Sequence, residues 1–123
     1  MTSNLSNAGP GLSALVVGGG MITEEVVLPT VLQQKRLGKI ASVTVVSRRA
    51  STIQRLQKVF PNQLQGFPDP ATNDAEASQP DGFREAIQRL PHPGIVIVAT
   101  PDHLHTPVIL AAVEARHDVV VEK

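Results

Sequence analysis

The sequence predicts an α/β fold: a three-layer structure with a five-stranded parallel sheet, order 3-2-1-4-5, between helices. Three observations predict it. Short apolar or β-branched runs recur at residues 15–17, 43–46, 95–99 and 119–121. Such runs fit strands buried on both faces, as in a parallel sheet. Segments of helical period separate them, and this alternation makes right-handed crossovers. The first run then enters Gly18-Gly19-Gly20, a turn between a strand and a helix.

Each element follows in order. Residues 1–12 are small, polar and punctuated by Gly and Pro, and read as a disordered tail. The domain then occupies 13–123. Residues 21–37 take a helical period, with Ile22, Val26, Val31 and Leu37 near one face. Thr23, Glu24 and Glu25 open it, with the carboxylates where the helix dipole favours them. Pro29 falls inside and predicts a kink or a shortened hydrogen-bond ladder. Gly38 is the stop. After the second strand, Ser51 or Thr52 caps a helix running to about Phe60. Ile53, Leu56 and Val59 or Phe60 make its apolar face. Residues 64–67 form the third and weakest strand, and 68–80 form a loop rich in turn residues. A short helix over 83–90 stops at Pro91-His92-Pro93-Gly94. The fourth strand follows, then a helix over 107–115 with Pro107 in its first turn, then the last strand.

Composition bounds the function. The chain has 123 residues, so one domain is expected. Lys+Arg and Asp+Glu number 11 each, so no basic excess favours nucleic acid or anionic lipid. Aromatic residues make up 2%, too few for a platform that stacks single strands. The chain has no cysteine, hence no disulfide, thiol nucleophile or thiolate-bound metal. No apolar run is long enough to span a bilayer, and no signal peptide is evident. A cytoplasmic location is expected. His103 and His105 beside Asp102 lack a third, separated ligand, so no metal site is expected.

The glycine turn carries the chemistry. Gly18 and Gly20 match the first two glycines of G-x-G-x-x-G, and Thr23 takes the third position. Gly18 permits the tight turn, and Gly20 lets the backbone approach a pyrophosphate. The amides of Met21 and Ile22, opening the helix, hold the phosphates. Thr23 adds a side chain where helix and strand normally pack closely, so the helix is expected to stand slightly further away. A dinucleotide is the ligand this context predicts, with a structural turn or a mononucleotide as the alternatives. The second strand ends in Ser47-Arg48-Arg49 rather than in an acid. A hydroxyl and guanidinium groups suit a 2′-phosphate, so NADP is preferred and NAD possible. The bland alternative is a solvated charge pair at a helix entry. The spacing from Gly20 to Ser47 exceeds the usual value of about 20 residues, which the long first helix absorbs.

Two further motifs join the turn: Thr100-Pro101-Asp102-His103-Leu104-His105 and the final Glu122-Lys123. Together they resemble the N-terminal, Rossmann-type domain of the Gfo/Idh/MocA oxidoreductases, named for glucose-fructose oxidoreductase and inositol dehydrogenase. The resemblance covers residues 14–123. It implies hydride transfer between NAD(P) and a sugar, cyclitol or related alcohol. It places Thr100, Pro101 and His105 along the cofactor groove near its nicotinamide half. It matches Glu122 and Lys123 to the start of an E-K-P signature, with Lys123 assisting proton movement as the catalytic residue. The proline that follows in the family is absent, and Arg116-His117-Asp118 replaces a frequent Gly-Lys-His. A substrate domain follows in the family, so the chain reads as truncated before it and inactive alone. A non-catalytic nucleotide-binding fragment or partner subunit is the alternative. The expected partners are the dinucleotide, a sugar or polyol in a full-length parent, and a second copy by self-association. Neither nucleic acid nor membrane is expected.

Overall fold

The computed structural model describes residues 11–122, Asp102 by its backbone alone. Residues 1–10 of the expected tail and Lys123 lie outside the described residues. Five parallel strands form one sheet: β1 (Leu12–Val17), β2 (Ile40–Val46), β3 (Gln65–Phe67), β4 (Gly94–Val98) and β5 (Asp118–Val121). Their order is β3-β2-β1-β4-β5, as the apolar runs predict. β1 opens at Leu12, which pairs with Ile40, so Leu12 belongs to the sheet rather than to the tail.

The helices lie on both faces because alternate strand residues face opposite ways. Ala14, Val16, Val43, Val45 and Ile97 pack under the first two helices, against Leu28, Leu32, Ile53 and Leu56. Leu15, Val17, Val46, Val96 and Val98 pack on the other face. There they meet Ile87 and Leu90 near the end of α3 (Gly82–Arg89) and Val108 and Ala112 of α4 (His105–Glu114). The chain thus has a core on each side of a fully covered β1.

The first helix differs from a plain α-helix. Its opening widens into a π segment (Thr23–Val27), and α1 (Leu28–Arg36) continues from it. The Leu28 amide donates to the Thr23 carbonyl, five residues back. Pro29, the next residue, has no amide and its ring would crowd a carbonyl four residues earlier. The widened turn accommodates it, so the expected irregularity takes the form of a π segment. Gly38 ends the helix at φ +82°. The Lys39 amide donates to the Gln34 carbonyl and the Gly38 amide to that of Lys35, both at 3.0 Å. These two bonds make a Schellman stop.

Neither Ser51 nor Thr52 caps α2 (Ala50–Val59), which begins earlier, after an extended Arg49. A neighbouring loop replaces the side-chain cap: the Ser51 amide donates to the Ala75 carbonyl at 3.0 Å. At the end of α4, Arg116 takes φ +64°, so the left-handed stop there is made without glycine. The order of the sheet reverses at β1, between β2 and β4. Ligand crevices of open α/β sheets form at such a reversal, beyond the carboxyl ends of the strands.

Candidate functional site

The glycine turn leaves β1 at that reversal and is held from both sides. The Gly18 amide donates to the Val46 carbonyl at 2.9 Å, and the Ala99 amide to the Val17 carbonyl at 2.9 Å. Gly18 has φ +115°, and a Cβ there would lie 2.6 Å from the Ala99 carbonyl oxygen. Both facts require glycine. A Cβ on Gly19 would lie 2.4 Å from the Thr52 methyl. A Cβ on Gly20 would meet nothing within 4 Å. The first two glycines therefore serve the fold. The third faces open space, where a ligand can approach its backbone.

Thr23 is packed into the turn. It is fully buried, and its hydroxyl donates to the Gly18 carbonyl at 2.7 Å. The side chain fits because the helix opens into its π segment at that residue. The bond closes the turn on itself and satisfies a carbonyl that the left-handed Gly18 leaves out of the sheet.

A cleft of about 560 Å³ runs along the carboxyl end of the sheet. It gathers Gly18, Gly20, Ser47, Arg48, Thr100 and Pro101 of the expected site residues. Met21 and Ile22 lie outside its lining, on the exposed start of the helix. His105 also lies outside it and bonds through Nε2 to the Thr100 carbonyl at 2.7 Å. It braces the Thr100 turn from behind. The Glu122 amide donates to the Val98 carbonyl at 2.8 Å, which extends the β5 edge, and Glu122 does not line the cleft. Lys123 is outside the described residues.

Sequence reasoning missed one wall. Residues 79–84 close the cleft beside Arg48, with Gln79, Asp81 and Arg84 in the lining. The loop before them is tied to the start of α2. The Gln79 amide donates to the Arg48 carbonyl at 2.7 Å, and Arg49 Nε to the Glu76 carbonyl at 3.2 Å. Arg49 thus has a backbone partner as well as a place on the wall. Arg84 stacks over the Phe83 ring at 4.9 Å and stands 3.7 Å from Asp81. No periodicity marks such a loop, so only its turn residues were legible.

The donor set fits a dinucleotide. The turn offers an unobstructed backbone at Gly20. Three arginines, 48, 49 and 84, line one end, and Asp81, the only lining carboxylate among the described residues, has Arg84 beside it. The Thr100 hydroxyl is buried in the wall and has no hydrogen-bond partner among the described residues.

Comparison with known proteins agrees with this geometry. A family model described as an oxidoreductase family with an NAD-binding Rossmann fold, Gfo/Idh/MocA, matches residues 12–123. No curated protein matches the chain significantly. Among solved structures, a shikimate 5-dehydrogenase from Mycobacterium fortuitum is similar at 18% identity, with a TM-score of 0.46. The match covers 91% of this chain and 45% of that one, so the chain spans less than half of that protein's length. Among the described residues, no helix is long and apolar enough to cross a membrane.

Proposed function

The chain belongs to the Gfo/Idh/MocA oxidoreductase family, with its NAD-binding Rossmann fold, and from that premise we propose that the cleft seats NADP in preference to NAD. One observation carries the preference. Ser47 and Arg48, at the end of β2, line the same cleft as Gly18 and Gly20, with no carboxylate between them. An acid at that point would bond ribose hydroxyls and repel a 2′-phosphate. A guanidinium offers that phosphate paired donors in one plane.

In this reading each group has a task. The open backbone at Gly20 and the helix start at Met21 and Ile22 hold the pyrophosphate. Arg48 and Ser47 hold the 2′-phosphate. Thr100 and Pro101 flank the nicotinamide half, and His105 keeps the Thr100 backbone in place. A bound nicotinamide ring supplies the hydride acceptor or donor. The reaction proposed for the whole protein moves a hydride between that ring and a sugar, cyclitol or related alcohol. Lys123 assists the proton's departure from the hydroxyl. A substrate domain supplies the wall that holds the alcohol against the ring. Residues 12–123 alone then bind cofactor without turnover. The apolar side chains exposed on α4 and β5, including Leu110, Val113 and Val120, favour self-association of the chain by itself.

The experiment is a titration of the purified chain with NADP and with NAD, repeated on Arg48→Ala. NADP should bind about tenfold more tightly, a difference of roughly 1.4 kcal/mol. The substitution should remove most of that difference. Equal affinities in the wild type, or a preference unchanged in the variant, would show that Arg48 is only solvated.

A further inference from the structure

An arginine from α2 reaches across to the glycine turn, and no sequence motif announces it. Arg55 Nη1 donates to the Glu24 carboxylate, and Nη2 donates to the Gly19 carbonyl at 2.9 Å. Glu24 lies 31 residues earlier, in the first turn of the helix that the glycine turn opens. One guanidinium therefore joins α2, the turn and the helix start.

Two consequences follow for an anion held there. Glu24 places a carboxylate in the same field that draws phosphates to a helix start. Unmasked, it competes with them and repels them. Arg55 neutralises it. The second consequence is geometric. The Gly19 carbonyl and the Gly20 amide belong to one planar trans peptide and point in opposite directions. Arg55 holds the carbonyl toward α2, which turns the Gly20 amide away from α2. Gly20 is the glycine whose surroundings are open.

The pair contributes little to the fold itself. Both side chains are partly exposed, Arg55 at 49% and Glu24 at 31%, and ion pairs of that kind add little stability. Its position at the phosphate seat is the better account of it. We propose that Arg55 is a positioning residue for the dinucleotide phosphates, acting chiefly by masking Glu24. This inference rests on the dinucleotide reading of the cleft.

The test is a double-mutant cycle on the full chain, with NADP and ADP as probes. Arg55→Ala should weaken both by about fivefold, as expected for one uncompensated charge at a helix start. Glu24→Gln should bind both at least as tightly as the wild type. The double variant should return to within about twofold of the wild type, because no carboxylate is left to mask. Thermal midpoints of the variants should stay close to the wild type's, which separates this role from a structural one. Unchanged affinity in Arg55→Ala, or a double variant as weak as Arg55→Ala, overturns the inference while leaving the dinucleotide reading intact. Weaker binding by Glu24→Gln, which disturbs the fold least, also overturns it. A wild-type chain that binds neither probe removes both readings together.

Discussion

The Thr23 hydroxyl donates to the Gly18 carbonyl at 2.7 Å, across the turn that joins β1 to the first helix. The residue in the third glycine's place ties the helix to the strand end. The bond is possible because Thr23 is fully buried where the helix widens into its π segment. Thr23→Val keeps the shape and removes the donor. It should cost about 1–2 kcal/mol of stability, read from urea unfolding, because the Gly18 carbonyl is left without its partner. An unchanged midpoint would mean that water replaces the hydroxyl without loss.

The glycines of the turn divide by task, and substitution separates them. Gly18→Ala meets both a left-handed φ of +115° and a carbonyl oxygen 2.6 Å from its Cβ. It should destabilise the chain by roughly 2–4 kcal/mol. Gly20→Ala meets neither obstacle and should change stability by no more than about 1 kcal/mol. It should nevertheless weaken NADP, because its methyl occupies the space left for the ligand. Thermal melts with a parallel titration read both effects. A Gly20→Ala chain that binds NADP normally would place the phosphates elsewhere.

The far end of the sheet carries a different device. His92 and His117 stack with ring centroids 4.3 Å apart. Burial pushes the His117 imidazole below its ordinary value of 6.5. The bond to the Ile87 carbonyl opposes this shift, the neighbouring His92 adds to it, and Asp118 opposes it. The unfolded chain therefore binds more protons than the folded one below pH 6.5, and stability falls as pH falls through that region. Unfolding measured as pH is lowered from 6.5 should show this slope, and His117→Asn should flatten it. A slope unchanged in the variant would assign it to other groups.

Much of this fold was legible in short apolar runs. The runs at residues 15–17, 43–46 and 95–99 mark central strands because a doubly covered sheet buries most of the side chains there. Gly38 was legible as a helix stop because few other residues take φ +82° without strain. The π segment was only half legible. Pro29 announces an irregularity, but its form depends on how Thr23 packs against the turn. The start of α2 was misread because a loop carbonyl, that of Ala75, replaces a side-chain cap. In the candidate site, local sequence marked Gly18, Gly20, Ser47 and Arg48, and the family resemblance marked Thr100 and Pro101. It did not mark Arg84 or Arg55, whose places depend on how distant segments meet.

The central claim is that phosphates sit on the glycine turn at the reversal of the sheet. Backbone amide shifts of the isotope-labelled chain, followed during NADP addition, test it most directly. The account predicts the largest shifts at Gly19, Gly20, Met21, Ile22 and Arg48, with a smaller response at Thr100. It predicts none at His92 and His117, at the opposite end of the strands. Shifts centred on those histidines, or no shifts at the glycine turn under saturating NADP, would contradict it.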